Sequence, residues 1–535
     1  MSKSKSNMSY ENIVNRSRNL TKEIGSLNIE FDKDVIGEFE LDIDGVRVSI
    51  WSIYEAILAI HFFPSGEKNS FKNFARLIKR EIRGQYDVFK KNLPSSNSKE
   101  NKLKDGKNIY FLGFNGYLAS ENFDLVYKNI LTDALYTPIW IDDKPIDSSW
   151  IDDIAINIDD IAININELDS KELRIKTAQI KKNIKNIIRK LVKKIKSSDL
   201  DAEKSDLLLL AIAFMRPEIE TQIPKYLALA SYMLKKVRPV AIVSIDVADP
   251  RNRVFTLLAN KLAIPVVQVQ AGPINQECVE WSFCYDDLML SHGPSVKPEL
   301  AKLGFNENHV VNTGSPKLEK VVNIGKRKEL CLKSRFMISN SSKVLLFLTS
   351  YTGLFGTNNA LNDQYRLYEE IYFAVVSEIS KRANLSLVIK PHPLETSKQL
   401  KQHAKITKNF KNIFLVEASE NTSKLIAASD SILSFGSTAS IDSIIMGKPV
   451  ICPKFGNFSL NEYFEKSGAV LVPKSKSELA DILDIISSDN IKIIVDRCAK
   501  GRGVFLKNFS NLDSSATEKV ISHIYGLIKN FDSAI

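Results

Sequence analysis

The sequence predicts an α/β protein built from two Rossmann-like doubly wound domains facing a cleft, with an N-terminal hairpin and helical extension, and three observations predict it. Short apolar runs alternate with helical patterns from Val237 to Gly314, as buried parallel strands do when helices cover both faces of their sheet. The same alternation restarts at Lys343 and runs to Pro453. At 535 residues, finally, the chain is longer than one hydrophobic core accommodates.

Taken in order, residues 1 to about 25 are polar, as loose termini are. GEFELDIDGVRVSIW then alternates apolar and polar residues about Asp44-Gly45, which predicts a hairpin running into a helix from near Ser52. Residues 94–108 have linker composition, and the YFLGF that follows reads as the first buried strand of a domain. IDDIAIN occurs twice in tandem, at 151–157 and 158–164; two copies are too few for a repeat fold, so a local duplication in a helix or loop is expected. Between Ser170 and Ser197, Ile180, Ile184, Ile187, Ile188, Leu191, Val192 and Ile195 form one stripe of a basic helix. Packing on its own domain is the preferred explanation; peripheral membrane contact through 170–197 is the alternative.

The second domain reads as strands KVLLFLTS, LSLVIK, NIFLVE, SILSF and KPVICP with helices between them. A last amphipathic helix, Ser514 to Asn530, is placed to cross back to the first domain. The domain reading is therefore 1–108 as extension, 109–325 as a Rossmann-like acceptor domain with a helical insertion at about 150–235, and 326–535 as the donor domain.

Composition excludes several classes. With 44% hydrophobic and 25% charged residues the chain is globular rather than disordered. No apolar run approaches the length of a bilayer span and the start lacks a secretory apolar core, so a cytoplasmic location, at the inner face of the membrane if anywhere near one, is expected. Five cysteines without a CxxC pair or a nearby His cluster argue against a disulfide framework or structural zinc. The net charge of +10 comes mostly from lysine in an Asn- and Ile-rich chain and lacks aromatic-interleaved basic motifs, so anionic substrates or an anionic membrane are expected ahead of nucleic acid.

In open parallel sheets ligands sit outside the carboxyl ends of the strands. In the second half those ends carry Ser350 and Thr352, then Lys390-Pro391-His392-Pro393, then Glu417, then Gly436-Ser437-Thr438. The last of these opens a helix, where free amides, two hydroxyls and the positive dipole end suit a phosphate, although Ser and Thr cap helices everywhere. His392 stands between two prolines, so its ring is aimed, and it could donate to a phosphate oxygen or protonate a leaving phosphate. In the first half VSIDVADPRNR puts Asp246 and Asp249 at a strand end, where glycosyl transfer needs a carboxylate as base or nucleophile. Asp249 is the first choice and Asp246 the second; Asp-Pro at a helix start is equally a capping arrangement. Gln270-Ala271-Gly272 and Glu277 are expected nearby.

These segments, with Gly314-Ser315-Pro316-Lys317 and Asp442 through Gly447-Lys448-Pro449, resemble bacterial capsule and surface-polysaccharide transferases of the GT-B fold, a group that includes HP-motif sialyl- and Kdo-transferases and CDP-glycerol glycerophosphotransferases. The resemblance covers the C-terminal half well and the first two hundred residues in outline. It implies that His392 and Ser437/Thr438 bind the donor's cytidylyl phosphate and that no metal or further cofactor is needed. The chain departs from the pattern where many relatives carry His at the place of Ala271, and it lacks a clear acidic-acidic-glycine signature, since Asp42 to Gly45 fall in the hairpin.

The function expected from the sequence is transfer of a sugar, with a CMP-activated nonulosonate or Kdo-like acid as the candidate, onto a surface-polysaccharide or glycolipid acceptor. The alternatives are a UDP-N-acetylglucosamine 2-epimerase type of enzyme, a CDP-polyol phosphotransferase, and a non-catalytic membrane-associated scaffold.

Overall fold

The computed structural model describes residues 40–62, 107–114, 116–143, 162–165, 168, 170–197, 202–274, 278–326, 330–350, 363–393, 395–456, 462–488, 490–509 and 515–534. They form two compact units: one takes in the chain to Ser291 with Ser295–Thr313 and Thr517–Ile535, the other His292–Pro294 with Gly314–Ala516.

The first unit opens on a hairpin, β1 (Glu40–Ile43) and β2 (Val46–Ser49). Asp44 and Gly45 both take positive φ, 54° and 81°, the backbone of a two-residue turn that matches strand twist. Asp42 Oδ1 accepts the Gly45 amide at 2.8 Å, and Asp44 pairs with Lys176 and accepts from Ser231 Oγ at 2.7 Å, so both aspartates are structural. The helix Ile50–Phe62 follows directly, two residues before the expected start. It is fastened by Arg253, whose buried guanidinium reaches Glu55 Oε1 at 2.6 Å, the Ser52 carbonyl at 2.6 Å and the Phe283 carbonyl at 2.8 Å. A buried charge persists only with such a set of partners.

The first sheet has seven parallel strands: β3 (Asn108–Leu112), β4 (Thr137–Asp142), β5 (Ala162–Asn164), β6 (Ala241–Ser244), β7 (Val266–Val269), β8 (Leu288–Ser291) and β9 (Val310–Asn312), in the order β5-β4-β3-β6-β7-β8-β9. The IDDIAIN duplication needs a correction here. The end of its second copy is neither helix nor loop but the edge strand β5, drawn into register by β4 with Trp140 opposite Ala162 and Asp142 opposite Asn164. The first copy lies outside the described residues, as does the linker up to residue 106.

Three helices, Lys171–Ser197, Ala202–Ile219 and Ile223–Lys236, join β5 to β6. In the first of them Ile180, Ile184, Ile188, Leu191 and Ile195 are buried in the unit's core, with Ile187 and Val192 partly buried against it. The apolar stripe is thus consumed by packing on its own unit, the preferred explanation. The chain's last helix, Ala516–Ala534, buries Val520, Ile524 and Ile528 among Phe123, Tyr127 and Trp140 of this same unit, and Tyr525 Oη donates to Asp133 at 2.6 Å.

The second unit holds β10 (Lys343–Leu348), β11 (Leu385–Lys390), β12 (Ile413–Leu415), β13 (Ser431–Leu433) and β14 (Val450–Ile451), all parallel, in the order β12-β11-β10-β13-β14. Two apolar clusters fill its two faces, as a doubly wound sheet requires. Gly447, at φ 72°, ends the helix Thr438–Ile445 as a C-terminal cap. All five cysteines are free thiols, and among the described residues no helix is long and apolar enough to cross a membrane.

Candidate functional site

The order of the second sheet decides which loops are neighbours. The chain winds from β10 through β11 to β12 on one side, then returns to β13 on the other, so β10 is the strand where the winding reverses. The loops after β11 and β13 flank its carboxyl end, about 10 Å apart at the strand spacing of a sheet. One carries His392 and the other Gly436-Ser437-Thr438.

The His392 turn is held from the interior. Its amide donates to Thr349 Oγ1 at 3.1 Å and to Glu395 Oε1 at 3.0 Å, while the Thr349 hydroxyl, at the end of β10, donates to the same Glu395 oxygen. Glu395 Oε2 lies 2.7 Å from His403 Nε2, and His403 Nδ1 lies 2.9 Å from Tyr372 Oη. Burial pushes the Glu395 carboxyl up, but hydrogen bonds from His403, Thr349 and the His392 amide more than offset this and hold it below the usual range. Burial pushes His392 below its ordinary value; Glu395 pulls it up and the Lys390 ammonium pushes it down. At neutral pH the half-buried ring is therefore a neutral imidazole.

Lys390 turns inward: its Nζ donates to the Ala418 carbonyl at 2.9 Å and bridges the loops after β11 and β12. Pro393 is exposed. Glu417, at the end of the edge strand β12, is exposed, and its carboxylate accepts from Ser419 Oγ at 3.3 Å. Ser350 is half-buried after β10, and Thr352 lies outside the described residues.

Gly436 adopts φ 76°, which a side chain would strain, and this conformation turns the chain from β13 into the helix. Ser437 occupies the N-cap position, exposed and extended, yet its hydroxyl makes no capping bond. The ordinary explanation for that serine is therefore not realised, and the first amides of an eight-residue helix are left without it. One turn on, Asp442 lies 3.7 Å from Lys317, so two segments that carry the resemblance meet inside this unit.

The carboxyl edge of the first sheet is organised by Arg251. Its Nε lies 3.0 Å and 3.2 Å from the two Asp249 oxygens, its Nη1 reaches Asp143 Oδ2 at 2.8 Å and its Nη2 reaches the Phe114 carbonyl at 2.9 Å, so the ends of β3, β4 and β6 are tied together. Asp249 Oδ1 also accepts the Arg251 amide at 2.8 Å, which is the capping arrangement. Asp246 Oδ1 accepts the amides of Ala248 and Asp249 at 2.9 Å and 3.1 Å. Gln270 Nε2 donates to the Gly272 carbonyl at 2.7 Å, bracing that turn; Glu277 lies outside the described residues.

Two carboxyls beside these aspartates were not legible as site residues. Burial, then the Asp249 charge, push Glu218 up to about 7, against the pull of Tyr54 and Arg251. Burial, then the Asp246 charge, push Glu280 up to about 7 as well, against its own backbone hydrogen bond. A carboxyl that titrates near neutrality can both take and return a proton, the property general base chemistry needs.

Two Rossmann-like doubly wound units in one chain define the GT-B class of fold. Solved structures of that class are similar to this chain: an S. aureus MnaA–UDP co-structure (14% identity, 79% of this chain and 97% of that one, TM-score 0.51), and UDP-GlcNAc 2-epimerase from Neisseria meningitidis bound to UDP-GlcNAc (14%, 79% and 100%, TM-score 0.50). The putative UDP-N-acetylglucosamine 2-epimerase from Listeria monocytogenes gives 11% identity, 79% and 97% coverage and a TM-score of 0.51. No family profile and no curated protein sequence matches the chain.

Proposed function

We propose that this protein is a glycosyltransferase that moves a sugar from a nucleotide-activated donor to a glycan or glycolipid acceptor of a surface polysaccharide, with a CMP-activated nonulosonate or Kdo-like acid as donor. The observation that carries the reading is in the second unit. The strand order sets the His392 turn and the Gly436-Ser437-Thr438 helix start on the two strands flanking β10, and the Ser437 hydroxyl is not used as a cap. The Neisseria structure holds UDP-GlcNAc and the S. aureus one UDP, so the fold takes a nucleotide sugar or nucleotide there.

In this reading the donor phosphate accepts from His392, from Ser437 and Thr438 and from the first amides of the helix. An acceptor hydroxyl loses its proton to a first-unit carboxyl, its oxygen bonds to the anomeric carbon, and the bond from that carbon to the phosphate oxygen breaks, the electron pair leaving with the nucleotide. Glu280 is our assignment for the base, because burial and the Asp246 charge push it up to about 7 and, among the described residues, it is half-buried without an ion pair. Asp249 and Asp246, the sequence candidates, hold the helix start and the strand-end loop around it. Calorimetric titration with CMP, CDP, UDP and GDP tests the reading: binding of one nucleotide, weakened by His392→Ala, is expected, and a chain that binds none is not a transferase.

The epimerase alternative has the fold likeness in its favour. Incubation with UDP-N-acetylglucosamine and no acceptor separates the two, because an epimerase converts its substrate alone.

A further inference from the structure

The positive charge of this protein is not spread over it. The helix Lys171–Ser197 carries eleven Lys and Arg against the single Glu172, a net +10 that equals the formal net charge of the whole chain, so the remainder is electrically balanced. The apolar side of this helix is buried in the core, which turns the charges outward: Lys171, Lys182, Arg189, Lys193 and Lys196 are exposed and Lys185 partly so. Their spacing, with steps of three, four, four and three from Lys182 to Lys196, lays these five along one face about 21 Å long, and Lys171 on the same face extends it to about 38 Å.

We propose that this outer face docks the protein on an anionic lipid bilayer, by electrostatic contact along the stripe rather than by insertion of the apolar side of the helix. Three features select a bilayer among polyanions. The cations are mostly lysines, compact point charges suited to a diffuse negative surface, whereas nucleic-acid readers favour forked arginines. The helix contains no Phe, Tyr, Trp or His on which a base could stack. On the same face Ile175 stands 60% exposed, two turns from Lys182, and Lys196 sits on the rim of a 580 Å³ groove floored by Val192, Leu209, Ile212 and Pro217. Apolar groups beside a cationic stripe suit the headgroup boundary of a membrane. The inference rests on this helix and not on the reaction proposed above.

The test is co-sedimentation of the full chain with vesicles of phosphatidylcholine alone and with one-third phosphatidylglycerol. Binding to the anionic vesicles only, falling as salt rises, is expected. Joint replacement of Lys182, Arg189, Lys193 and Lys196 by Gln should weaken it by several hundred-fold, at roughly fivefold per charge, without lowering the melting temperature. Lys→Arg at positions 182, 193 and 196 should preserve it. Equal binding to both vesicle types, undiminished binding by the four-Gln variant, or a preference for duplex DNA over the anionic vesicles would each overturn the proposal.

Discussion

The carboxyl edges of the two sheets solve the same problem in opposite ways. In the first unit the strand-end charges satisfy one another: Arg251 takes up Asp249, Asp143 and a carbonyl, and the two carboxyls left beside them, Glu218 and Glu280, are pushed up to about 7. In the second unit the strand-end groups are held from behind, by a buried line from Tyr372 through His403 and Glu395 to the His392 amide, while the His392 ring is half-buried and Ser437 stays exposed. In the proposed reading the first edge supplies the base and the second binds the donor phosphate. A ligand-binding role is best sought where rigid support for the strand-end turn comes from the interior.

Breaking that contrast should produce its largest effect at Glu280. Glu280→Gln is expected to lower kcat by about 10²- to 10⁴-fold with nucleotide affinity unchanged. Asp249→Asn should instead act on folding, since Asn still caps the helix but the Arg251 guanidinium loses its nearest charge partner, and should be read as a lower melting temperature. Equal kcat losses in the two variants would return the base to Asp249.

On the second edge, His392→Ala should weaken nucleotide binding by about 10- to 100-fold, the value of a hydrogen bond to a charged group, and lower kcat/KM for transfer by a similar factor. Glu395→Gln keeps an acceptor for the His392 amide but removes the charge that pulls the ring's pKa up. The low-pH limb of nucleotide binding should then shift to lower pH, an effect that mere loosening of the fold would not produce.

Stability carries the sign of the first edge. Glu218 and Glu280 have folded values raised from 4.5 to about 7, so the folded state binds the extra protons. Their contribution is fully present below pH 4.5 and is lost as pH rises to 7, about 3 kcal/mol for each group. Denaturant unfolding across that window should show Glu280→Gln flattening the decline.

The smallest effect separates presenting from capping. Ser437→Ala should leave the melting temperature unchanged and weaken nucleotide binding several-fold, whereas Ser475→Ala, at a serine that does cap its helix through the Glu478 amide at 3.2 Å, should cost about 1 kcal/mol and leave binding intact.

Much of this was legible in the sequence, for identifiable reasons. The period of apolar runs marks buried parallel strands, and all five strands of the second sheet fall inside KVLLFLTS, LSLVIK, NIFLVE, SILSF and KPVICP, four of them shorter than those runs. The proline bracket of His392 and the Gly-Ser-Thr turn were readable because rigid or glycine-dependent backbone leaves local marks. Partners that meet only in three dimensions were not readable. Glu395 reaches Thr349 across 46 positions, and Glu280 owes its shift to burial and to Asp246, neither of which has a local signature. β5 has no local signature because a three-residue edge strand is made by its neighbour's register, and the outward face of Lys171–Ser197 is set apart only by the fold.

The central claim is that His392 and the Ser437 helix start act on one phosphate, and a double-mutant cycle on nucleotide affinity tests it most directly. Titration of the wild type, His392→Ala, Ser437→Ala and the double variant with whichever of CMP, CDP, UDP or GDP binds should give a coupling of at least about 0.5 kcal/mol, because groups that share a ligand atom are not independent. Strictly additive losses would show that the two groups act on separate places, and the account of the site would fail with them.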